Sequence, residues 1–240
     1  MNGHRTCIIC LPRTGSQLCE KLVAEISDAS KLGEFFENWN RDSQYKLDSN
    51  SYLHLTEVAL LPSPFKLTNT ITEQLSLLTR VNPTQSLSIR LFLMDHYDKV
   101  ELSNIVVELK NMGFEFITLV RDLREQLLSY MIAHTHTTSI NNNAFNINSF
   151  VTEPATINIS KFYGTLKQIV DSSINWGKNI SSILNNIDYQ QINYKTIYSD
   201  MSRIYNTEFK YSGIKSIKGD PFDLIVNKRE VMGILDILIK

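Results

Sequence analysis

The sequence predicts an α/β fold in which helices flank a largely parallel central sheet in three layers. The first observation is alternation, because short apolar runs typical of strands are separated by segments whose apolar residues recur at helical spacing. The second is that "FEFITLV" is apolar enough for a strand buried on both faces, as parallel strands are. The third is size, since 240 residues with 42% hydrophobic content suffice for one large domain.

Four segments have the composition of strands. They are residues 5–11, 86–94, 114–120 and 190–194, with the sequences "RTCIICL", "SLSIRLFLM", "FEFITLV" and "QQINY". In such sheets ligands bind at the carboxyl ends of the strands, so functional residues are expected where a strand gives way to a helix.

Helices are predicted from apolar residues at helical spacing. The first covers residues 16–27, with Leu18, Leu22, Val23 and Ile26 on one face. The others are 102–112, ending at Gly113; 122–134, with Asp122 and Glu125 as a capping box; 160–187, as one long helix or two short ones; and 228–240, capped by Asn227.

The segment 135–149, "THTTSINNNAFNINS", is polar and rich in Asn, which predicts a long flexible loop. The sequence has no internal repeat and no convincing linker, so a single domain over residues 1–240 is expected.

The net charge of -1 argues against general nucleic-acid binding, although a local basic pocket is compatible with it. No apolar run approaches the roughly 18 residues of a membrane-spanning helix. The start, "MNGHRTCIICLPR", lacks the apolar core of a signal peptide, so a cytoplasmic location is expected.

The three cysteines, Cys7, Cys10 and Cys19, all lie near the N-terminus. Residues three apart on a strand point to opposite faces, so the "CIIC" thiols are not expected to converge on a metal or a disulfide. We interpret all three as small buried hydrophobic residues.

The stretch "LPRTGSQLCEKL" follows the first strand and leads into the first helix. A helix N-terminus favours anions, and Arg13 adds a cation suited to phosphate. Gly15 allows close backbone approach, while Thr14 and Ser16 offer hydroxyl donors. The pattern predicts a site for phosphate-like groups.

A plain helix start is the alternative for this stretch, because Thr14 to Gln17 also matches a capping box. The motif G-x-x-x-x-G-K-[ST] is absent from the sequence, so a nucleoside-triphosphate loop of the usual kind is disfavoured.

A second motif follows the third strand, in "RDLREQLLS". Arg121 lies at the carboxyl end of the strand, and Ser129 lies eight residues later in the following helix. Both side chains could reach a second anion. The alternatives are an ion pair of Arg121 with Asp122 or Glu125, and a backbone hydrogen bond of the Ser129 hydroxyl.

The two motifs together resemble those of sulfotransferases that use 3'-phosphoadenosine 5'-phosphosulfate (PAPS). That resemblance covers about residues 5–135 and implies a P-loop-like three-layer fold. It implies that "PRTGS" holds the 5'-phosphosulfate, and that Arg121 and Ser129 hold the 3'-phosphate. The co-substrate implied is PAPS, without a metal.

The chain is most similar to the bacterial branch that includes trehalose sulfotransferases, in which the loop also carries Arg and is followed by residues like "LCEKL". In that branch a carboxylate in a "GxPxEFF"-type segment is the proposed general base, which corresponds here to Glu34 in "KLGEFFENW". Leu32 replaces the Pro of that segment. Arg90 takes the place of a strand Lys, and because an Arg within an apolar strand needs a partner, we expect it to bind either the phosphosulfate or a structural carboxylate.

Other residues depart from the family pattern or compete for a role. Gln17 stands where the family often has a second Thr or Ser, and "SIKGDP" keeps Lys218 over the cofactor but has Ile217 in place of an Arg. His96 is the rival general base. Another pair of histidines, His134 and His136, lacks metal-ligand spacing and is expected to face solvent or substrate.

The resemblance therefore implies sulfuryl transfer from PAPS to a hydroxyl of a carbohydrate, glycolipid or other small acceptor. Arg13 would stabilise charge on the leaving group, and Glu34 or His96 would take the acceptor proton. The alternatives are a nucleotide-binding module of the same fold without turnover, and a kinase-like phosphotransferase. No nucleic-acid partner or membrane span is expected, and the oligomeric state is open, with a homodimer as one option.

Overall fold

A five-stranded sheet carries the first of the two motifs. The computed structural model describes residues 3–33, 36, 71–79, 84–93, 99–137, 154–208 and 221–239. Its strands are β1 (Arg5–Cys10), β2 (Ser30–Lys31), β3 (Leu87–Phe92), β4 (Phe114–Val120) and β5 (Tyr189–Asn193). Every neighbouring pair is parallel, in the order β2-β3-β1-β4-β5. The prediction of an α/β fold with a largely parallel sheet is confirmed.

The helices connect and cover these strands. They are α1 (Ser16–Ser27), α2 (Ile71–Thr79), α3 (Lys99–Asn111), α4 (Leu123–Thr137), α5 (Ile159–Ile174), α6 (Trp176–Ile183), α7 (Ile197–Tyr205) and α8 (Lys228–Leu238). Short 3₁₀ turns cover Tyr194–Thr196 and Pro221–Leu224. Among the described helices, none is both long enough and apolar enough to cross a membrane.

One face of the sheet packs on α3 and α6. Cys7 and Ile9 of β1, Ile89 of β3, Ile105 of α3 and Ile183 of α6 belong to the same buried cluster. All six residues of β1 are buried, as expected for the central strand of a parallel sheet, and this explains its continuous apolar run.

The opposite face of the sheet carries polar groups and is covered by α1 and α7. The Thr6 hydroxyl of β1 lies 3.4 Å from the Tyr205 hydroxyl of α7. Two positions along, Ile8 pairs in register with Arg90 of β3, and Arg90 contacts Glu20 of α1. With helices on both faces, this part of the chain has the predicted three layers.

The chain divides into two compact units, one formed by Met1–Val120 and Asn175–Glu208 and the other by Arg121–Ile174 and Phe209–Lys240. In the second unit, a buried cluster joins Leu127 of α4, Leu166 of α5 and Val231 of α8. An ion pair between Arg124 and Asp236 also links α4 to α8. The expectation of one domain over residues 1–240 stays a prediction.

Several element boundaries differ from those predicted. Helix α4 ends at Thr137, so residues 135–137 of the expected loop are helical, and the rest of that loop lies outside the described residues. The segment 160–187 forms two helices, α5 and α6. The sequence patterns did not predict β2, α2, α7 or either 3₁₀ turn.

The cap predicted for α8 is only partly right. Asn227 does occupy the position before the helix, but its side chain makes no capping hydrogen bond to the helix backbone. Instead its Oδ1 accepts from the Ile157 amide at 2.9 Å, and its Nδ2 donates to the Ile157 carbonyl at 3.0 Å. Asn227 therefore joins the start of α8 to the segment before α5.

Candidate functional site

The loop between β1 and α1 has an unusual backbone. Arg13 and Gly15 have φ values of 64° and 96°, whereas Thr14 between them is not in the positive-φ region. Residues in the left-handed conformation occur in turns whose successive backbone N–H groups bind anions. Arg13 accepts a conformation that costs a non-glycine residue free energy, and such strain is concentrated at functional sites.

The capping-box interpretation of this loop is wrong. Gly15, not Thr14, occupies the N-cap position of α1, and the cap provides no side-chain hydrogen bond. The Thr14 hydroxyl instead donates to the Leu11 carbonyl at 2.8 Å, which closes the turn. Thr14 is thus a structural residue of the loop, and no cap side chain satisfies the N-terminus of α1, an end of a helix that favours anions.

Gly15 is required by a neighbouring side chain as well as by its φ angle. A Cβ atom at this position would lie 2.3 Å from Cδ2 and 2.4 Å from Cε2 of Tyr194. Tyr194 comes directly after β5, so its ring reaches the loop from another strand end. Nothing in the local sequence pattern pointed to Tyr194 as a residue of this site.

Ser16, Glu20 and Arg90 form a buried polar cluster beneath the loop. Arg90 Nη1 donates to the Ser16 hydroxyl at 3.4 Å, and Arg90 Nε lies 2.9 Å from Glu20 Oε2. The exposed fractions are 5%, 4% and 8% for Ser16, Glu20 and Arg90. The structural carboxylate considered as a partner of Arg90 is therefore present, and it is Glu20.

This cluster corrects the face predicted for α1. Leu22 and Val23 are buried as expected, but Leu18 and Ile26 are only half-buried. The buried stripe instead takes in Ser16, Cys19 and Glu20, because Arg90 pairs with the polar members of the stripe. Pairing with Arg90 offsets the free-energy cost of burying the Glu20 carboxylate. The periodicity of apolar residues does not predict such a buried ion pair.

The cluster also holds the turn at Gly33, which comes directly before Glu34. The Gly33 amide donates to Glu20 Oε1 at 2.9 Å, and the Arg90 amide donates to the Gly33 carbonyl at 2.7 Å. Gly33 has a φ of 62°, and a Cβ atom there would lie 3.4 Å from Arg90 Nη2. The guanidinium of Arg90 is thus seated between the phosphate-type loop and the Gly33 turn.

Burial raises the pKa of the Glu20 carboxyl, because desolvation disfavours its charged form. The Arg90 guanidinium and the Gly33 amide act in the opposite direction, by attracting and hydrogen-bonding the carboxylate. The two oxygens of Glu20 are divided between these two partners, so each stabilises the charged form from a different side.

The second unit carries the second motif. Arg121 follows β4 directly, and its Nε lies 3.6 Å from Glu125 Oε2, one of the ion pairs weighed from the sequence. Asp122 accepts the Glu125 amide at 3.1 Å, so the Asp122 half of the predicted capping box of α4 is confirmed. Ser129 is half-buried on α4, two turns further along.

Three of the predicted site residues, Glu34, His96 and Lys218, lie outside the described residues. Their roles stay predictions from the resemblance. His134, expected to face solvent or substrate from a loop, lies on α4, where its ring centroid is 4.3 Å from that of Tyr130.

All three cysteines are free and buried, as predicted. Cys7 belongs to the cluster on the α3 and α6 face, and Cys10 faces the other side of β1 by alternation. Burial raises the pKa of the Cys7 and Cys19 thiols far above the ordinary value, so both stay protonated.

No protein-family model matches the chain, and no curated protein matches it either. Among solved structures, the chain is similar to the sulfotransferase domain of the olefin synthase from Synechococcus PCC 7002, with 16% identity, a TM-score of 0.44, and coverage of 93% of this chain and 83% of that one. It is also similar to a sugar kinase from Janibacter sp. HTCC2649, with 10% identity, a TM-score of 0.33, and 99% of each chain covered. Likenesses at this level do not assign an activity.

Proposed function

We propose that the chain is a PAPS-dependent sulfotransferase that transfers a sulfuryl group to a hydroxyl of a carbohydrate, glycolipid or other small acceptor. The observation that supports this best is the loop between β1 and α1, with positive φ at Arg13 and Gly15, no side-chain cap, and Ser16 held by the buried Arg90. A loop at a helix N-terminus that contains Arg13 and contacts Arg90 through Ser16 suits a phosphosulfate.

In this proposal the 5'-phosphosulfate binds the loop. Thr14 and Gly15 contribute backbone N–H groups, since the Thr14 hydroxyl is already used by the Leu11 carbonyl. Ser16 and Gln17 lie in the first turn of α1, where an amide side chain can replace a hydroxyl as donor. Arg13 and Arg90 supply the positive charges of this binding site.

The 3'-phosphate binds Arg121 and Ser129, and Lys218 covers the nucleotide. An ion pair with one partly exposed carboxylate contributes about 1 kcal/mol or less, so Glu125 is a weak competitor for Arg121. A phosphate offers a bidentate partner with more charge, and a guanidinium is suited to it.

In the transfer, the bond between sulfur and the bridging phosphate oxygen breaks as the acceptor oxygen bonds to sulfur. The acceptor proton passes to a general base, Glu34 or its rival His96, a step typically contributing about 10²–10⁴-fold. Negative charge that develops on the phosphate oxygen is stabilised by Arg13 and the loop N–H groups. The products are a sulfate ester and 3'-phosphoadenosine 5'-phosphate (PAP).

The finer assignment, to the bacterial branch that includes trehalose sulfotransferases, rests on "LCEKL" and "EFF" and on Arg90. We place the reaction in the cytoplasm, where free thiols such as the three buried cysteines are kept reduced. The proposal requires no metal ion.

A second function, nucleotide binding without turnover, is favoured by one observation. Arg90 is already paired with Glu20, so part of its charge is neutralised before any donor binds. Leu32, Gln17 and Ile217 also depart from the pattern of active relatives. Formation of a sulfate ester from PAPS with any member of a broad panel of hydroxyl acceptors would decide against this second function.

Titration calorimetry with PAP tests the binding part of the proposal. Arg13→Ala should weaken PAP binding by at least about tenfold, as expected for loss of a charge-assisted contact to phosphate. The control is Arg203→Ala on α7, an exposed arginine whose partner Asp200 lies 3.8 Å away, which should leave the affinity unchanged. Equal affinities for wild type and Arg13→Ala would contradict the proposal.

A further inference from the structure

Glu20 is the one carboxylate among the described residues that contacts both the loop cluster and the Gly33 turn. It lies on α1 one turn after Ser16 and is 4% exposed. Its Oε1 accepts a hydrogen bond from the Gly33 amide at 2.9 Å, and its Oε2 lies 2.9 Å from Arg90 Nε. A carboxylate with both oxygens engaged in a buried site has a fixed orientation, and so have its partners.

We propose that Glu20 is a positioning residue of the donor site, which holds the Arg90 guanidinium against Ser16 and ties the phosphate-type loop to the Gly33 turn. This inference rests on the proposed function, since it concerns the loop that would bind the 5'-phosphosulfate. Glu20 touches neither donor nor acceptor and acts through Arg90 and the Gly33 backbone.

The geometry of Arg90 supports this role. Its three guanidinium nitrogens have different surroundings: Nε lies at Glu20, Nη1 at Ser16, and Nη2 near the position that a Gly33 Cβ would occupy. An arginine has several rotatable bonds, and ordering such a side chain costs conformational entropy. The distance from Arg90 to Glu20 is 2.9 Å and that to Ser16 is 3.4 Å, so we assign to Glu20 the larger part in holding the guanidinium.

The turn at Gly33 gives the positioning a second consequence. Gly33 is the residue before Glu34, and its amide and carbonyl are bonded to the Glu20 side chain and the Arg90 amide. The Glu20 side chain therefore contacts both Arg90, beneath the loop that would bind the donor, and Gly33, the residue that precedes the proposed base in the sequence. A donor and a base must be held in a common frame for a transfer reaction.

Charge and geometry predict opposite results for Glu20→Gln. If the carboxylate acted only through its charge, removing it would strengthen binding of an anion near Arg90. If it positions Arg90, the neutral amide holds the guanidinium less firmly and binding weakens. The sign of the change in PAP affinity therefore separates the two accounts.

The experiment measures PAP affinity by titration calorimetry for wild type, Glu20→Gln and Glu20→Asp. We expect both variants to bind PAP about tenfold or more weakly, because Asp keeps the charge but is too short to hold both partners. The control is Glu25→Gln, an exposed glutamate on the same helix paired with Lys21 at 3.7 Å, which should bind as wild type does. Unchanged or tighter binding by Glu20→Gln, or unchanged binding by Glu20→Asp, would overturn the inference.

A general loosening of the fold is excluded by a second ligand, adenosine 3'-monophosphate, which lacks the 5'-phosphate. The variants should lose affinity for PAP and keep their affinity for this ligand, whereas a loosened fold weakens both equally. If the wild type binds this ligand too weakly to measure, the loss of PAP affinity in variants with wild-type melting temperatures decides the question.

If the single variants do not fold, Glu20→Met combined with Arg90→Met provides a folded alternative, since apolar replacement of a buried ion pair is often neutral for stability. Because this double variant lacks the acceptor of the Gly33 amide, that amide should exchange its hydrogen faster than in wild type. Equal exchange of the Gly33 amide in the folded double variant would overturn the inference.

If the proposed function is wrong, the wild type does not bind PAP at all, and this result differs from every outcome that concerns Glu20 alone. The positioning role is still tested in the free protein by hydrogen exchange at the Gly33 amide. That amide should exchange faster in Glu20→Asp than in wild type or Glu25→Gln, since its acceptor is withdrawn. Equal exchange would overturn the role of Glu20 in holding the turn.

Discussion

At the scale of single residues, a side chain at Gly15 is disfavoured both by the positive φ angle of its backbone and by the neighbouring ring of Tyr194. Its φ of 96° favours glycine, and a Cβ atom would meet the ring of Tyr194 at 2.3 Å. Such a contact requires a shift of either the loop or the ring. The loop is therefore a defined structure that depends on a residue far away in the sequence.

We expect Gly15→Ala to lower the free energy of unfolding by about 1–3 kcal/mol, the cost of a strained backbone conformation, and to weaken PAP binding. Urea denaturation and calorimetry measure the two effects. The control is Gly233→Ala on α8, where no atom lies within 4 Å of the added Cβ, and where a stabilisation of about 0.5–1 kcal/mol is expected.

Combining Gly15→Ala with Tyr194→Ala should relieve the contact with the ring and leave only the cost of the positive φ. The double variant should thus be less destabilised than the sum of the two single variants. Strict additivity would show that the Tyr194 ring does not restrict Gly15.

The three thiols give a further prediction at this scale. Burial raises the pKa of the Cys7 and Cys19 thiols, and all three cysteines are buried. In native protein at mildly alkaline pH, a thiol reagent such as Ellman's reagent should react with none of them, and in denaturant with all three. Rapid reaction of any thiol in native protein would contradict the burial described for β1 and α1.

At the scale of elements, the sequence predicted those segments whose pattern is local. The bounds of α1 and β4 agree with the prediction, because a helix-period stripe and a continuous apolar run are each complete within one segment. The short β2 was missed because two residues show no periodicity. Helix α7 was missed although its buried residues, Ile197 and Met201, lie at helical spacing.

The residues of the candidate site also fall into those that the local sequence pattern predicts and those that it does not. Arg13, Gly15 and Ser16 could be found from the sequence, because a strand-to-helix loop with glycine and hydroxyl residues has a local signature. The partner of Arg90 could not be chosen from the sequence, because Glu20 is brought to it by the packing of α1 on β3. Tyr194 was missed for the same reason, as it reaches Gly15 from the end of β5.

Helix α7 is anchored on the sheet through Tyr205, and this gives a pH-dependent prediction. Burial raises the pKa of Tyr205 from 10.0 to about 12, while the hydrogen bond with Thr6 acts in the opposite direction. Since the folded state keeps a proton that the unfolded state loses, the stability contribution is present below pH 10.0 and falls as pH rises towards 12.

We therefore expect Tyr205 to ionise late in a titration of tyrosinate absorbance, and Tyr205→Phe to remove that late step. The variant should also lose stability less steeply over the same alkaline range. A late step that persists in Tyr205→Phe would assign it to another tyrosine.

In the second unit, the hydrogen bonds between Asn227 and Ile157 join two segments of the chain, as the contact between Tyr205 and Thr6 does in the first unit. Asn227→Ala should cost about 1–3 kcal/mol of unfolding free energy, because it leaves the Ile157 amide and carbonyl without these partners. Asn227→Asp keeps the acceptor and should cost less. Equal stabilities of the three proteins in urea would show that this junction does not contribute.

At the scale of the whole molecule, each of the two compact units carries one of the two sequence motifs. The first unit carries the loop with Arg13, Gly15 and Ser16, and the second carries Arg121 and Ser129. The proposed function takes a nucleotide with phosphates at both the 5' and 3' positions as its ligand. Adenosine triphosphate has no 3'-phosphate, so it lacks the group that is proposed to bind Arg121 and Ser129.

The most direct test is a thermal-denaturation titration of the wild-type protein with PAP and, in parallel, with ATP. At about 100-fold above its dissociation constant, a bound ligand stabilises by about 2.7 kcal/mol. For a chain of this size each kcal/mol raises Tm by about 2–4 °C. The account predicts a rise of several degrees with PAP and a much smaller one with ATP at the same concentration. An equal or larger rise with ATP, or no rise with PAP, would contradict it.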